Sequence, residues 1–138
     1  MHLVDTTVLS ELRKASPNPS VVAWYGQTET ESVYVSVLVI GELRYGAERL
    51  RPRDPERSTR LAAWLADLRG QFADRVLPVS EAVAEAWGRL RAHDPLPVVD
   101  GLQAATALVH GLVVVTRDTV PFERVGVPYL DPWAYGQP

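Results

Sequence analysis

The sequence predicts an α/β fold built on a mainly parallel sheet, and three observations carry that prediction. The chain opens with a short apolar run, His2-Leu3-Val4, which stops at Asp5 and passes directly into Val8, Leu9 and Leu12 at helical spacing. The same handover recurs at residues 32–37, a β-branched and aromatic segment that leads into a helical pattern. Later, Leu112-Val113-Val114-Val115-Thr116 is continuously apolar, as in strands covered on both faces. Strand and helix patterns alternate throughout, which is the signature of a parallel α/β sheet.

Each element follows from local cues. Ser16-Pro17-Asn18-Pro19 breaks the first helix, and residues 20–25 form a short second one with Asn18 as N-cap and Pro19 at the first helical position. After the second strand, Leu43, Ala47 and Leu50 keep helical spacing, and Glu42 lies near the start of that helix. Arg51-Pro52-Arg53-Asp54-Pro55 ends it. Residues 58–72 then form an amphipathic helix with Leu61, Trp64, Leu65 and Leu68 on one face. A short strand at residues 74–79 leads to Ser80, the N-cap of a helix whose buried stripe is Val83, Trp87 and Leu90. Residues 98–110 form an alanine-rich helix closed by Gly111. Asp100 lies in its first turn, where the helix dipole favours a carboxylate. Arg117-Asp118 follows the valine-rich strand, residues 125–130 form a short edge strand, and Trp133 packs the tail down. The 138 residues read as one domain without repeat or linker.

Composition narrows the classes. With 46% hydrophobic and 22% charged residues the chain is an ordinary globular one. The absence of cysteine excludes disulfides and thiolate metal sites and permits a reducing cytoplasm. No apolar run is long enough to span a membrane, and no secretory signal is visible, so a soluble cytoplasmic protein is expected. A net charge of −3 excludes a simple basic coat for nucleic acid. Positive charge is nonetheless concentrated: residues 44–60 hold six arginines against three acids. Guanidinium groups suit bidentate phosphate contacts, and a solvated hairpin with internal ion pairs is the other reading.

Four carboxylates stand at comparable places. Asp5 and Asp118 follow strands; Glu42 and Asp100 occupy the first turns of helices. In a parallel sheet such positions converge on the carboxyl edge, where ligand crevices lie. Taken singly, each has a plainer role as turn former, helix cap or solvated helix residue. Gathered without lysine or histidine, they would repel one another, and a divalent cation relieves that repulsion. Oxygen-only ligation suits Mg2+ or Mn2+, and a metal-activated water then hydrolyses phosphodiester bonds.

The ordered motifs VDTTVLSEL, VSVLVIGELRYG, DGLQAATALVHGL and VVVTRD resemble a PIN domain. In particular they resemble the ribonuclease toxins of VapBC-type toxin–antitoxin pairs, in the FitB-like branch. The likeness runs from residue 2 to about residue 134, including the tail GVPYLDPW. It implies a PIN-like three-layer sandwich, with helices on both faces of a five-stranded, mainly parallel sheet. It also implies a Mg2+- or Mn2+-dependent endoribonuclease, cutting structured RNA such as transfer RNA to leave a 5′-phosphate and a 3′-hydroxyl. The family's catalytic and metal-binding acids fall on Asp5, Glu42, Asp100 and Asp118, and its pocket-lining hydroxyls on Thr6, Ser36 and Thr116. The expected partners are a VapB-like antitoxin, the RNA and a second copy in a homodimer. Arg44, Arg49, Arg51 and Arg53 become candidates for RNA or antitoxin contact. The alternative is a catalytically weak domain that only binds RNA or antitoxin.

Three departures stand out. Relatives commonly have Asn at the place of Asp118 followed by an Asp-Phe pair, where this chain has Pro121-Phe122; Asp118 is thus the only acid available for the fourth role. Val39 replaces a frequent threonine, and Gln103 a frequent isoleucine; neither change is expected to abolish catalysis. A haloacid-dehalogenase-type phosphatase would need a second acid at the position of Thr7. A receiver domain would need paired acids near the first strand and a late lysine, which this chain lacks.

Overall fold

Strand β1 (His2–Val4) is the centre of the sheet. In the computed structural model, which describes residues 1–137, it lies between β2 (Val33–Ser36) and β4 (Val113–Val115). β3 (Val76–Leu77) and β5 (Tyr129–Leu130) form the two edges, giving the order β3-β2-β1-β4-β5. Every pairing is parallel, so all five strands end on the same side.

The pleat divides the core in two. Val4, Val33, Val35 and Val115 point to one face and pack with α1 (Thr6–Arg13), α2 (Pro19–Gln27), α3 (Val37–Leu50) and α4 (Pro55–Gln71). Trp24 and Phe72 are the largest side chains buried there. Leu3 and Val114 point to the other face and pack with α6 (Val98–His110) and α7 (Val120–Arg124), while α5 (Glu81–His93) lies against α6. This is the expected three-layer sandwich. Among the described residues, no helix is long and apolar enough to cross a membrane.

The predicted caps form. Asn18 Oδ1 accepts from the amides of Ser20 and Val21, and Ser80 Oγ accepts from that of Val83. Gly111 closes α6 at φ 66°, a left-handed conformation that a Cβ would disfavour. Glu11 locks α1 to α2: its buried carboxylate accepts from Lys14 Nζ at 2.8 Å and from the Asn18 amide at 2.9 Å. The Lys14 hydrogen bond, followed by that of Asn18, holds this carboxyl below its ordinary range.

Three boundaries differ from the sequence reading. α4 starts at Pro55 rather than residue 58, because Asp54 caps it through the Arg57 amide at 3.1 Å and Pro55 fits the first helical position. The edge strand is only Tyr129–Leu130, because α7 and a left-handed Gly126 at φ 73° occupy the chain before it. The strand read at residues 74–79 is only Val76–Leu77.

Candidate active site

The carboxyl edge of the central strands builds the site. β1 and β4 pair with Val4 beside Val115, and the Asp5 amide continues the ladder by donating to Val115 O at 2.9 Å. Asp5 is therefore held next to Thr116, the residue that follows Val115. Asp5 is also the N-cap of α1.

Its carboxylate accepts four hydrogen bonds. Oδ1 takes the Thr6 amide at 2.8 Å and Gln103 Nε2 at 3.1 Å. Oδ2 takes Thr116 Oγ1 at 2.9 Å and Thr7 Oγ1 at 3.1 Å. Thr116 Oγ1 in turn accepts from the Asp118 amide at 3.1 Å, which fixes the start of the loop bearing the fourth acid. On α3, Glu42 Oε1 accepts from Thr6 Oγ1 at 2.7 Å. Thr6 and Thr116 thus touch the predicted acids directly. Ser36, predicted to line the pocket, is fully buried and caps α3 by accepting from the Leu38 amide at 3.1 Å.

All four acids share one electrostatic field. Burial, and then the charges of Asp5 and Asp100, push the Glu42 carboxyl up, against the lowering effect of its Thr6 bond. Burial, and then the charges of Asp118 and Asp5, push up Asp100. Among the described residues, none of the four forms a salt bridge. An oxygen-only set with unbalanced negative charge fits a hard divalent cation. The side chains are not yet gathered around a point: among the described residues, no group of three acids or histidines stands ready to hold an ion.

Gly101 brings α6 close to α5. A Cβ at this position would lie 3.0 Å from Trp87 Cδ1 and 3.1 Å from its Nε1. Asp100 is the neighbouring residue, so this close approach sets where it stands.

A groove of about 790 Å³ opens beside Thr6 and Glu42. Arg13 at the end of α1, Lys14 just after it, and Arg57 and Arg60 from α4 line it, together with Leu61 and Trp64. The Arg13 guanidinium stacks 5.5 Å from the centre of the Trp64 ring. Among the described residues, Arg13, Arg57 and Arg60 have no carboxylate partner. The four arginines singled out from the sequence do not line this groove. Arg44 and Arg53 are exposed, Arg49 stacks on Tyr45, and Arg51 pairs with Glu48 at 2.9 Å. Gln103 and Thr7, which bond Asp5, were not among the predicted site residues.

The chain is similar to known proteins over nearly its whole length. A family model described as PIN domain matches residues 2–128. VapC ribonuclease Y4jK of Sinorhizobium fredii is 35% identical over 96% of this chain and 98% of its own. Toxin FitB of Neisseria gonorrhoeae is 36% identical over 96% of this chain and 99% of its own. The crystal structure of FitAcB from Neisseria gonorrhoeae superposes with a TM-score of 0.89 at 36% identity, over 96% of this chain and 99% of that one.

Proposed function

The chain belongs to the PIN-domain family, and from that premise we propose that it is an endoribonuclease toxin of a toxin–antitoxin pair, hydrolysing structured RNA with Mg2+ or Mn2+. The observation that carries this reading is the set Asp5, Glu42, Asp100 and Asp118: four carboxylates within reach of one another's charge and paired with no cation among the described residues.

These acids would hold the ion. When bound, it supplies charge neutralisation at the phosphate and a lowered pKa for the attacking water. Thr116 and Thr6 keep Asp5 and Glu42 in place by direct hydrogen bonds. Asp118 takes the fourth role, its loop anchored through Thr116. Arg13, Arg57 and Arg60 grip the RNA backbone along the groove, offsetting the repulsion between RNA and the acidic edge. Transfer RNA is the substrate we favour, a VapB-like antitoxin the inhibitor, and a homodimer the working form.

The test is to sequence RNA ends after pulsed expression of the chain without antitoxin, with Asp5→Asn as control. Discrete new 5′ ends and growth arrest, both absent in the Asp5→Asn variant, are expected. Identical RNA ends in both strains would leave only the alternative, a domain that binds without cutting.

A further inference from the structure

We propose that Gln103 is a positioning residue for Asp5, deciding which carboxylate oxygen stays tied to the fold and which is free to take an ion. The inference rests on the reading of Asp5 as a metal ligand.

Asp5 has two acceptor positions on each oxygen, and all are filled. The donors differ in how easily they leave. On Oδ1, the Thr6 amide belongs to the first turn of α1 and moves only with the helix. The other donor to Oδ1 is Gln103 Nε2, from a side chain only 2% exposed on α6. Enclosed on that helix, the amide has no solvent to swing into. On Oδ2, Thr116 is buried, but Thr7 is exposed, and one rotation about its χ1 removes its hydroxyl. Oδ2 is therefore the oxygen that opens, by release of Thr7. Gln103 keeps Oδ1 from turning to compete with it.

A second observation separates this role from packing. Gln103 Oε1 is buried without any hydrogen-bond partner. An orphaned carbonyl destabilises a fold, and an apolar side chain of equal size would avoid the penalty. Turning the amide over would set Oε1 against a carboxylate oxygen, so the orphan is the necessary far side of the Asp5 bond. Packing alone gives no reason for a glutamine here.

The test is Mn2+ binding, followed by electron paramagnetic resonance on the purified chain, alongside thermal unfolding without metal. The proteins are wild type, Gln103→Met, Gln103→Leu and Asp5→Asn. Both Gln103 variants should still fold, because the lost bond to Asp5 is partly offset by removal of the orphaned carbonyl, while Mn2+ affinity falls about 10-fold, the scale expected when an outer hydrogen bond at a metal site is removed. Unchanged Mn2+ affinity in a folded Gln103 variant, with binding lost in Asp5→Asn, overturns the positioning role alone. Unchanged affinity in Asp5→Asn overturns the metal reading itself. Failure of both Gln103 variants to fold shows that the side chain serves the core, and also overturns the proposal.

Discussion

Thr116 Oγ1 donates to Asp5 Oδ2 at 2.9 Å, joining residues 111 positions apart. The parallel register Val4 beside Val115 makes this contact, because the next residue on each strand must then be neighbours at the carboxyl edge. One hydroxyl thereby couples two acids, donating to Asp5 and accepting from the Asp118 amide.

Thr116→Val keeps the shape of this buried side chain and removes both bonds. A hydrogen bond to a charged group contributes about 1.5–3 kcal/mol. Urea unfolding should register a loss of about that size at neutral pH, and RNA cleavage should fall with it. Thr116→Ser restores both bonds and should recover most of each. Wild-type stability and activity in the valine variant would show that the hydroxyl orders neither acid.

The raised carboxyls of Glu42 and Asp100 set a sign for pH dependence. A carboxyl pushed up by folding binds its proton more tightly in the native state than in the unfolded chain. Its penalty is full above the raised native value and vanishes below the ordinary value, 4.5 for Glu42 and 3.8 for Asp100. Without divalent ions, stability should rise as pH falls into that range. Glu11 acts oppositely: its stabilisation is present above 4.5 and is lost as pH falls through its lowered native value. Thermal midpoints across pH should thus pass through an acidic maximum. Asp100→Asn should flatten the neutral side of that curve and raise the metal-free midpoint at pH 7. Mn2+ should raise the midpoint of wild type at pH 7 more than that of Asp100→Asn.

Gly101→Ala tests the close approach of α6 to α5. The added methyl would stand 3.0 Å from Trp87 Cδ1, and overpacking of this kind costs about 1–3 kcal/mol. The helix start should shift and carry Asp100 with it, lowering both the thermal midpoint and the affinity for Mn2+. Trp87→Leu in the same chain should restore the midpoint. A wild-type midpoint in the alanine variant would mean that Trp87 yields freely.

What could be read in the sequence was whatever depends on near neighbours. Asn18-Pro19, Ser80 and Gly111 act within one helical turn, and the strands announce themselves as apolar runs beside acids. That Asp5 and Asp118 stand at one edge follows from the strands being parallel. Gln103 shows in the sequence only as a departure from a frequent isoleucine; its bond to Asp5 does not show, because the partner is 98 residues away. α7 leaves no pattern in the sequence because its five residues, Pro121 and Phe122 among them, are too few to show a period. The groove itself leaves no mark in the sequence for a similar reason. Arginine density marks residues 44–60, which include Arg57 and Arg60, but that Arg13 and Lys14 join those two along one groove depends on packing.

If RNA follows the groove, Arg57 and Arg60 each neutralise a phosphate, and removing one such cation from a single-stranded site lowers the slope of log affinity against log salt by about 0.7. Binding should be measured by fluorescence anisotropy in an Asp5→Asn background, where no cleavage intervenes. Arg57→Ala with Arg60→Ala should weaken RNA binding at low salt and reduce the slope by about 1.4. Arg44→Ala with Arg53→Ala should leave both quantities unchanged. In the catalytically intact chain the groove pair should raise KM and spare kcat, because a backbone grip is felt equally by substrate and transition state. If instead the Arg44 and Arg53 pair carries the salt dependence, RNA enters over the outer face of α3 and the groove is left to the antitoxin.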